Sequence, residues 1–478
     1  MSAVRAGIEM IEKDLRELRA DIGTVDSELV RLLGRRLKLA RKIGRLKKQL
    51  NLGVIDPVTE KIVIQNFVTS AARAGIDKAY ARRLVNLVVE GSVEVQTQSR
   101  RRVIGGDSML KQLSEMMLRA ERKGRKLIRL DIGEPRFRTP RAVIREAKRY
   151  LDHSPMMLYG SSAGLPALVD AIAERLNRQY GTKLGRSNIL ILPGGRFAIF
   201  AAILATVSSL ERVAICRPAW SAYESCVAFA GGRTFAVSTR LEDQWDIDLI
   251  ALEETLRLGP KMIVLNNPNN PTGKVLAAEI FQAIMGLARK YHTVVLSDEV
   301  YATYSSVPVP SVLEYPDTQA IYVNSFSKEF SMTGWRVAYA VADEQRIARM
   351  RKIVETSLTN VPELIQRAAL AALKDTSGDA ATGRGRIRKR LNMACEELRK
   401  GDFEFHPPEG GFYVFPRIRR RGIDAEKFAK HLFEKHAVGV LPGTIFGEYQ
   451  DFLRLAITEP EAAVKTGIRR IVKAMDEW

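Results

Sequence analysis

One lysine, Lys328, stands in the run SFSKEFSMTGWR among hydroxyl-bearing and apolar residues, and Arg336 follows eight positions on. An amine held among such groups has its pKa lowered, as a Schiff-base nucleophile requires. Ser325 and Arg336 beside it suit a phosphate, the serine through its hydroxyl and the arginine through a charge-assisted fork. Other short apolar runs end in SDEVY, with Asp298 and Tyr301, and in NNPNNPTG, with Asn267 and Asn270. A buried carboxylate can pair with a protonated ring nitrogen, and Tyr301 and Asn270 can hydrogen-bond a phenolic oxygen. Lysine, phosphate clamp and pyridinium partner are together the needs of pyridoxal phosphate. Singly, each residue also has a structural reading: the asparagines as turn formers, Asp298 as a helix cap, Lys328 as a snorkelling surface side chain. Their order along the chain, each at the end of an apolar run, favours the chemical reading.

A second group lies far upstream. Arg36 falls on an apolar helix seam, where a buried cation needs a partner, yet few acids share its face. Lys47, eleven residues further, projects in nearly the same direction. Ser92 and Gln96 are spaced to share one face of a later helix. Two inward cations without inward carboxylates read as a pocket for an anionic ligand. The alternative is a polar residue that sets the specificity of a coiled coil.

The elements that must position these groups follow from periodicity. Apolar residues at Ile11, Leu15, Leu18, Ile22, Val25, Leu29 and Leu32, resuming at Leu39, Ile43, Leu46 and Leu50, step by fours and threes. This predicts a long helix that packs against other helices. Gly53 ends it as a C′ residue, Asp56 and Pro57 open a second helix as N-cap and first position, and a third runs roughly from 78 to 96. The result is an all-α domain over 1–96, and a helix this long needs a partner, so dimerisation is expected. Residues 97–108 (TQSRRRVIGGDS) are polar, basic and aperiodic, and read as a linker. Over 109–478, runs such as ILILP, RVAICRP, KMIVLNNP, TVVLSDEVY and AIYVNSFS alternate with helical patterns. That alternation predicts an α/β domain with a mainly parallel sheet and helices on both faces, whose ligands bind at the carboxyl ends of the strands.

Composition bounds the rest. The 478 residues exceed one ordinary core, and 46% hydrophobic with 27% charged residues is the balance of a soluble globular protein. There is no run of eighteen apolar residues to cross a membrane, and the N-terminus lacks the pattern of a secretory signal. Three scattered cysteines give neither a disulfide framework nor a metal cluster. A cytoplasmic enzyme without a metal is expected. The formal charge of +20, from 75 Lys+Arg against 55 Asp+Glu, fits anionic small-molecule ligands. Nucleic-acid binding is disfavoured, because the basic clusters RRLKLARKIGRLKK, QSRRRV, GRGRIRKR and RIRRRG carry no interleaved aromatics.

Two resemblances join these readings. Residues 14 to 96, through LRADIGTVDSELVRLLGRRLKLARKIGRLK, VIDPVTE and VVEGSVEVQ, resemble the all-helical chorismate mutase domain, a three-helix chain that forms an intertwined dimer. The resemblance implies that Arg36, with Arg19 from the partner chain, holds the two carboxylates of chorismate. It implies Lys47 and Gln96 at the ether oxygen, Asp56 at the ring hydroxyl, Glu60 in a hydrogen-bonding role, and Ser92 at a carboxylate. The family usually has an arginine just before that glutamate, where this chain has Thr59, which removes one cation from the implied site.

From about residue 105 onward the chain resembles a class I aminotransferase of the fold-type I pyridoxal-phosphate family, with a large and a small domain. The motifs are LDIGEP, YGSSAGLPALVDAIA, PAWSAYES, NNPNNPTG, SDEVY, SFSKEFSMTGWR, GGFYVF, PGTIFG and FLRLAI, in family order. By this resemblance Lys328 is the Schiff-base lysine and proton shuttle, and Asp298 the partner of the pyridine nitrogen. Tyr301 and Asn270 contact the ring oxygen, and Trp220 stacks on the ring. The phosphate goes to Ser325, Arg336, the backbone of Gly195 and Arg196, and Tyr159 of the partner chain. Arg454 takes the substrate α-carboxylate, assisted by the backbone at Gly133. Arg196 stands where relatives that handle dicarboxylates often carry a lysine, and Arg136 and Arg138 stand where acids are common; at the entrance, the latter two would favour anionic substrates.

The expectation is a bifunctional enzyme of phenylalanine and tyrosine synthesis. One domain rearranges chorismate to prephenate. The other transaminates prephenate or aromatic 2-oxo acids, with glutamate or aspartate as donor. The competing expectation is an aspartate aminotransferase whose helical domain is a non-catalytic sensor.

Overall fold

The structure is a computed structural model of the chain and describes residues 2–49, 57–97, 109–153, 158–375, 378–420 and 422–478. Asp56, Gly53, Leu50 and most of the expected linker lie outside the described residues. The chain divides into two compact units, Met1–Gly106 and Asp107–Trp478.

The first unit is three helices, α1 (Ser2–Gln49), α2 (Pro57–Arg73) and α3 (Lys78–Thr97). Helix α3 packs against both others, and the buried side chains along it, Ala81, Val85, Val89 and Ser92, recur at helical spacing. Among the described residues of helix α1, the buried ones, Ala40 and Gly44, lie near its C-terminal end. A Cβ on Gly44 would lie 2.9 Å from Cα of Gln96, so the glycine permits that close approach. The remaining seam of α1 is uncovered within one chain: Leu15 is 45% exposed, Ile22 60% and Leu29 52%.

The second unit is built on a seven-stranded sheet: β1 (Ile189–Leu192), β2 (Arg212–Arg217), β3 (Arg233–Ser238), β4 (Met262–Asn266), β5 (Val294–Asp298), β6 (Ala320–Ser325) and β7 (Ala338–Val341). The order is β1-β7-β6-β5-β4-β2-β3, parallel except that β7 runs against both neighbours. Only the segment between Ser325 and Ala338 joins β6 to β7, and those two residues are themselves paired across the ladder. The only α-helix in that connection is the single turn Phe326–Glu329, not the helix that usually carries a parallel crossover, and the chain turns back. Lys328 and Arg336 therefore sit in a return loop at the carboxyl end of β6.

Helices cover both faces of this sheet, with Leu168, Phe281 and Ala368 packed on one and Ala198, Tyr223 and Met350 on the other. A second core, containing Leu391, Phe428 and Ile468, surrounds the small antiparallel sheet of Tyr413–Val414, Leu441–Pro442 and Leu453–Ala456. Helix α4 (Met109–Arg122) is pinned by Arg129, which is 2% exposed and bonds Asp131 at 2.8 Å and Glu121 of α4 at 2.6 Å. Paired on both sides, that buried cation is electrically satisfied.

Candidate active sites

A cavity of about 380 Å³ opens at the carboxyl ends of β4, β5 and β6. Lys328, Asp298, Tyr301, Asn270, Ser325, Arg336, Trp220, Gly195, Arg196, Gly133 and Arg454 all line it. Widely separated along the chain, they are brought together at the strand ends.

Lys328 lies in a single helical turn, Phe326–Glu329, and its Nζ donates a 2.6 Å hydrogen bond to Gly133 O. Burial pushes its amine down to about 8, against the pull of Glu134. Gly133 thus enters through its carbonyl, toward the lysine, and a Cβ there would collide with the Tyr413 hydroxyl.

Asp298 ends β5 and is 3% exposed. Its Oδ2 accepts a 2.6 Å hydrogen bond from Tyr223 Oη, while Oδ1 has only a long 3.4 Å contact from the Val300 amide. Burial pushes its carboxyl up to about 6, opposed by those donors and by Lys328. Tyr301 Oη is 3.0 Å from Tyr413 Oη, and burial holds its phenol well above the usual range.

The two asparagines of NNPNNPTG part company. Asn267 is consumed by structure: it donates to Pro310 O at 3.1 Å and accepts from the Leu276 amide at 3.0 Å. For this asparagine the turn-forming reading holds. Asn266 instead faces the cavity, donating to Asp298 O and accepting from the Asn270 amide. The Asn270 side chain is buried with Oδ1 unpaired. It is free to turn and offer its NH₂ to a phenolic oxygen.

At the other end of the cavity, Gly195 and Arg196 begin helix α5 (Gly195–Thr206), so unpaired amides and the positive end of the helix dipole meet there. Gly194 precedes them at φ +92°, where a Cβ would strike the Arg336 guanidinium. Arg336 itself is held at φ +56° and donates to Thr333 O at 2.9 Å. Ser325 Oγ accepts from the Ser327 amide at 3.1 Å and donates to Val337 O at 3.2 Å. A helix N-terminus, a guanidinium and a hydroxyl around one point form an anion site.

Two further cations border the cavity. Arg196 lies over the Trp220 ring at 4.6 Å, and burial lowers its pKa. Arg454, 5% exposed, donates to Asp131 O and lies 4.6 Å over the Tyr413 ring, with Nε unpaired. Neither has a carboxylate partner among the described residues. Arg136 is committed to Glu459 at 2.8 Å, so it is no free cation at an entrance. Tyr159 is 88% exposed and lines no part of this chain's cavity.

The residues fit pyridoxal phosphate: an anion site, a desolvated amine, a buried carboxylate and an unpaired amide surround a cavity of suitable size. Sequence reasoning missed Tyr223, Tyr413 and Asn266. Each lies inside a quoted motif, but only the fold shows what its polar atoms reach.

In the first unit, Arg36 Nη1 donates to Val88 O at 2.9 Å and to Ser92 Oγ, linking α1 to α3. Burial lowers its pKa. Gln96 lies one turn beyond Ser92, with Oε1 buried and unpaired, and Lys47 is half-buried on α1. Arg19 is exposed, roughly 25 Å along α1 from Arg36 at 1.5 Å per residue. It cannot share a pocket with Arg36 of its own chain. Glu60 is half-buried near the start of α2, with Thr59 exposed before it.

Residues 125–471 match the family model Aminotransferase class I and II, and residues 18–97 match Chorismate mutase type II. An aspartate aminotransferase of Sulfolobus acidocaldarius is 32% identical over 367 residues, covering 74% of this chain and 91% of the relative. A probable aspartate/prephenate aminotransferase of Aquifex aeolicus is also 32% identical over 367 residues, covering 74% and 92%. Among solved structures, the aspartate aminotransferase of Thermotoga maritima superposes with a TM-score of 0.74 at 30% identity, covering 79% of this chain and all of that one.

Proposed function

Because the chain belongs to the class I and II aminotransferase family and carries a chorismate mutase type II segment, we propose a bifunctional enzyme of phenylalanine and tyrosine biosynthesis. Residues 1–96 convert chorismate to prephenate, 97–108 form a linker, and 109–478 transaminate prephenate or an aromatic 2-oxo acid with glutamate or aspartate as donor. The observation that carries the transaminase half is the convergence of Lys328, Asp298, Arg336 and Arg454 on one cavity. Fusion to a mutase segment supports an acceptor downstream of chorismate, as does the relative whose name joins aspartate to prephenate.

When bound, pyridoxal phosphate supplies the electron sink that lets the Cα–H bond of an amino acid ionise. Ser325, Arg336 and the amides at Gly195 and Arg196 hold its phosphate, helped by Tyr159 of a second copy. Asp298 holds the proton on the ring nitrogen. Tyr301 and Asn270 donate to the ring oxygen, and Trp220 covers one face. Lys328, lowered to about 8 by burial, can be neutral near physiological pH, take a proton from Cα of the donor and return one to the acceptor. Arg454 fixes the α-carboxylate, and Arg196 offers a second cation to an acidic side chain.

In the helical domain no nucleophile is needed. Rearrangement of chorismate is unimolecular, and what speeds it is holding the dianion in its folded conformer. Arg36, Ser92 and Arg19 of a second copy grip the carboxylates, while Asp56 and Glu60 bond the remaining oxygens. Lys47 and Gln96, its amide turned so that NH₂ faces inward, stabilise charge growing on the ether oxygen. The uncovered seam of α1 supports the second copy, since an apolar stripe this long calls for a covering helix.

The test is a panel of 2-oxo acids, prephenate included, with glutamate and aspartate as donors and Lys328→Ala as the blank. Prephenate or an aromatic 2-oxo acid should be the preferred acceptor. Preference for oxaloacetate over all of them would favour a plain aspartate aminotransferase.

A further inference from the structure

The strand that ends at the cofactor cavity also walls a second one. Side chains alternate along β6, so Ser325 faces the first cavity while Tyr322 and Asn324 face away from it. Tyr322 and Asn324 line a cavity of about 380 Å³, as large as the first and of a size that holds small molecules. Helix Pro166–Tyr180 brings Arg175 to it, the helical turn of Lys328 brings Glu329, and helix Asp379–Leu398 brings Arg384. Arg175 Nη2 donates to Glu329 Oε1 at 2.7 Å, so those two charges offset each other. Arg384 is half-buried and has no carboxylate partner among the described residues. The wall is left with one positive charge in excess, and Arg454 is not part of it.

We propose that this cavity is a second ligand site, which takes a small monocarboxylate with a hydroxyl-bearing body and holds its carboxylate on Arg384. A guanidinium presents a planar fork that matches a carboxylate, and one uncompensated cation calls for one negative charge. A dicarboxylate would set its second charge beside Glu329, and an amine would meet the excess cation. Polar side chains border the cavity too: Thr303 and Asn324 line it, and Asn324 Nδ2 donates to Tyr322 Oη at 2.7 Å. Such groups suit a ligand that carries a hydroxyl of its own. The site lies behind the catalytic turn, since Glu329 follows Lys328 and Tyr304 Oη donates to Lys328 O at 3.0 Å. Neither Arg175 nor Arg384 has a part in the transamination proposed above.

The test is isothermal titration calorimetry of 4-hydroxyphenylacetate into the full-length, cofactor-loaded protein, with circular dichroism confirming the fold of each variant. The probe has neither an amino nor an oxo group to react with the cofactor. The Arg454→Gln background removes the carboxylate-binding arginine of the first cavity, and there one probe should bind per chain. Adding Arg384→Ala should weaken that binding at least about 10-fold, while Arg384→Lys, which keeps the charge, should lose less. Adding Glu329→Gln instead should tighten it several-fold, because the one negative charge on the wall is gone. Arg384→Ala with Arg454 intact should lose one of the two sites that the wild type shows. Unchanged binding in Arg384→Ala, or no saturable binding to the folded Arg454→Gln protein, would overturn the site. Tighter binding of tyramine, which carries an ammonium in place of the carboxylate, would overturn the ligand class.

Discussion

Lys328 Nζ and Gly133 O, 195 residues apart in sequence, are joined by a 2.6 Å hydrogen bond across the cavity. The bond belongs to a protonated or neutral amine alike, so it positions the lysine without fixing its charge. Burial does that, lowering the amine to about 8. Lys328→Ala should therefore abolish transamination, by at least about 10³-fold, since nucleophile and proton carrier go together. Chorismate turnover by the same variant should be unchanged. Parallel assays of both reactions check it.

The same lysine sets a pH dependence. A pKa lowered by burial means the neutral amine is already half-formed near pH 8. Uptake of pyridoxal phosphate by the stripped protein should rise about tenfold per pH unit below that point and level off above it. Stopped-flow absorbance measures it. A rise continuing past pH 10 would mean that Lys328 is not desolvated.

Arg454→Gln keeps a polar, though shorter, side chain and removes a buried cation with no carboxylate partner among the described residues. KM for every amino donor should rise about 100-fold, because a charge-assisted fork to the α-carboxylate is lost. Steady-state kinetics with glutamate and aspartate check it. Loss confined to the acidic donors would move the α-carboxylate site elsewhere.

Arg36→Ala and Arg19→Ala should each lower chorismate turnover by about 10²-fold or more. If Arg19 crosses to the second copy, mixing and refolding the two variants should restore about a quarter of wild-type activity, because half the dimers are mixed and each then has one intact site. No recovery would place both arginines in one chain's site, against the roughly 25 Å between them along α1.

Ile22→Glu with Leu29→Glu puts charge on the exposed seam of α1. Chorismate turnover should fall at least tenfold while the fold of the second unit persists. Sedimentation and circular dichroism separate loss of association from loss of structure.

Much of the fold was legible because its signals are local. The heptad steps from Leu15 to Leu46 and the apolar runs ending at Asn266, Asp298 and Ser325 each specify one element. The strand direction of β7 was less so, since it lies in the return after Ser325, not in its own residues. Lys328, Asp298 and Arg336 stood out because charge at the end of an apolar run needs a purpose. Tyr223 and Tyr413 did not, because a tyrosine beside other aromatics reads as packing until its hydroxyl is seen to reach Asp298 or Tyr301. Asn266 and Asn267 are adjacent and alike in sequence. Only the direction each side chain takes at the end of β4 separates cavity from turn.

The central claim is that one chain makes prephenate and an amino group is then transferred to it or its product. Incubating the purified protein with chorismate, glutamate, aspartate and pyridoxal phosphate, and following products by mass spectrometry, tests it most directly. The account predicts prephenate and an aminated product from the wild type, prephenate alone from Lys328→Ala, and unconsumed chorismate from Arg36→Ala. Chorismate loss no faster than in buffer, while aspartate is transaminated normally once 2-oxoglutarate is supplied as acceptor, would contradict it and leave the helical domain as a sensor.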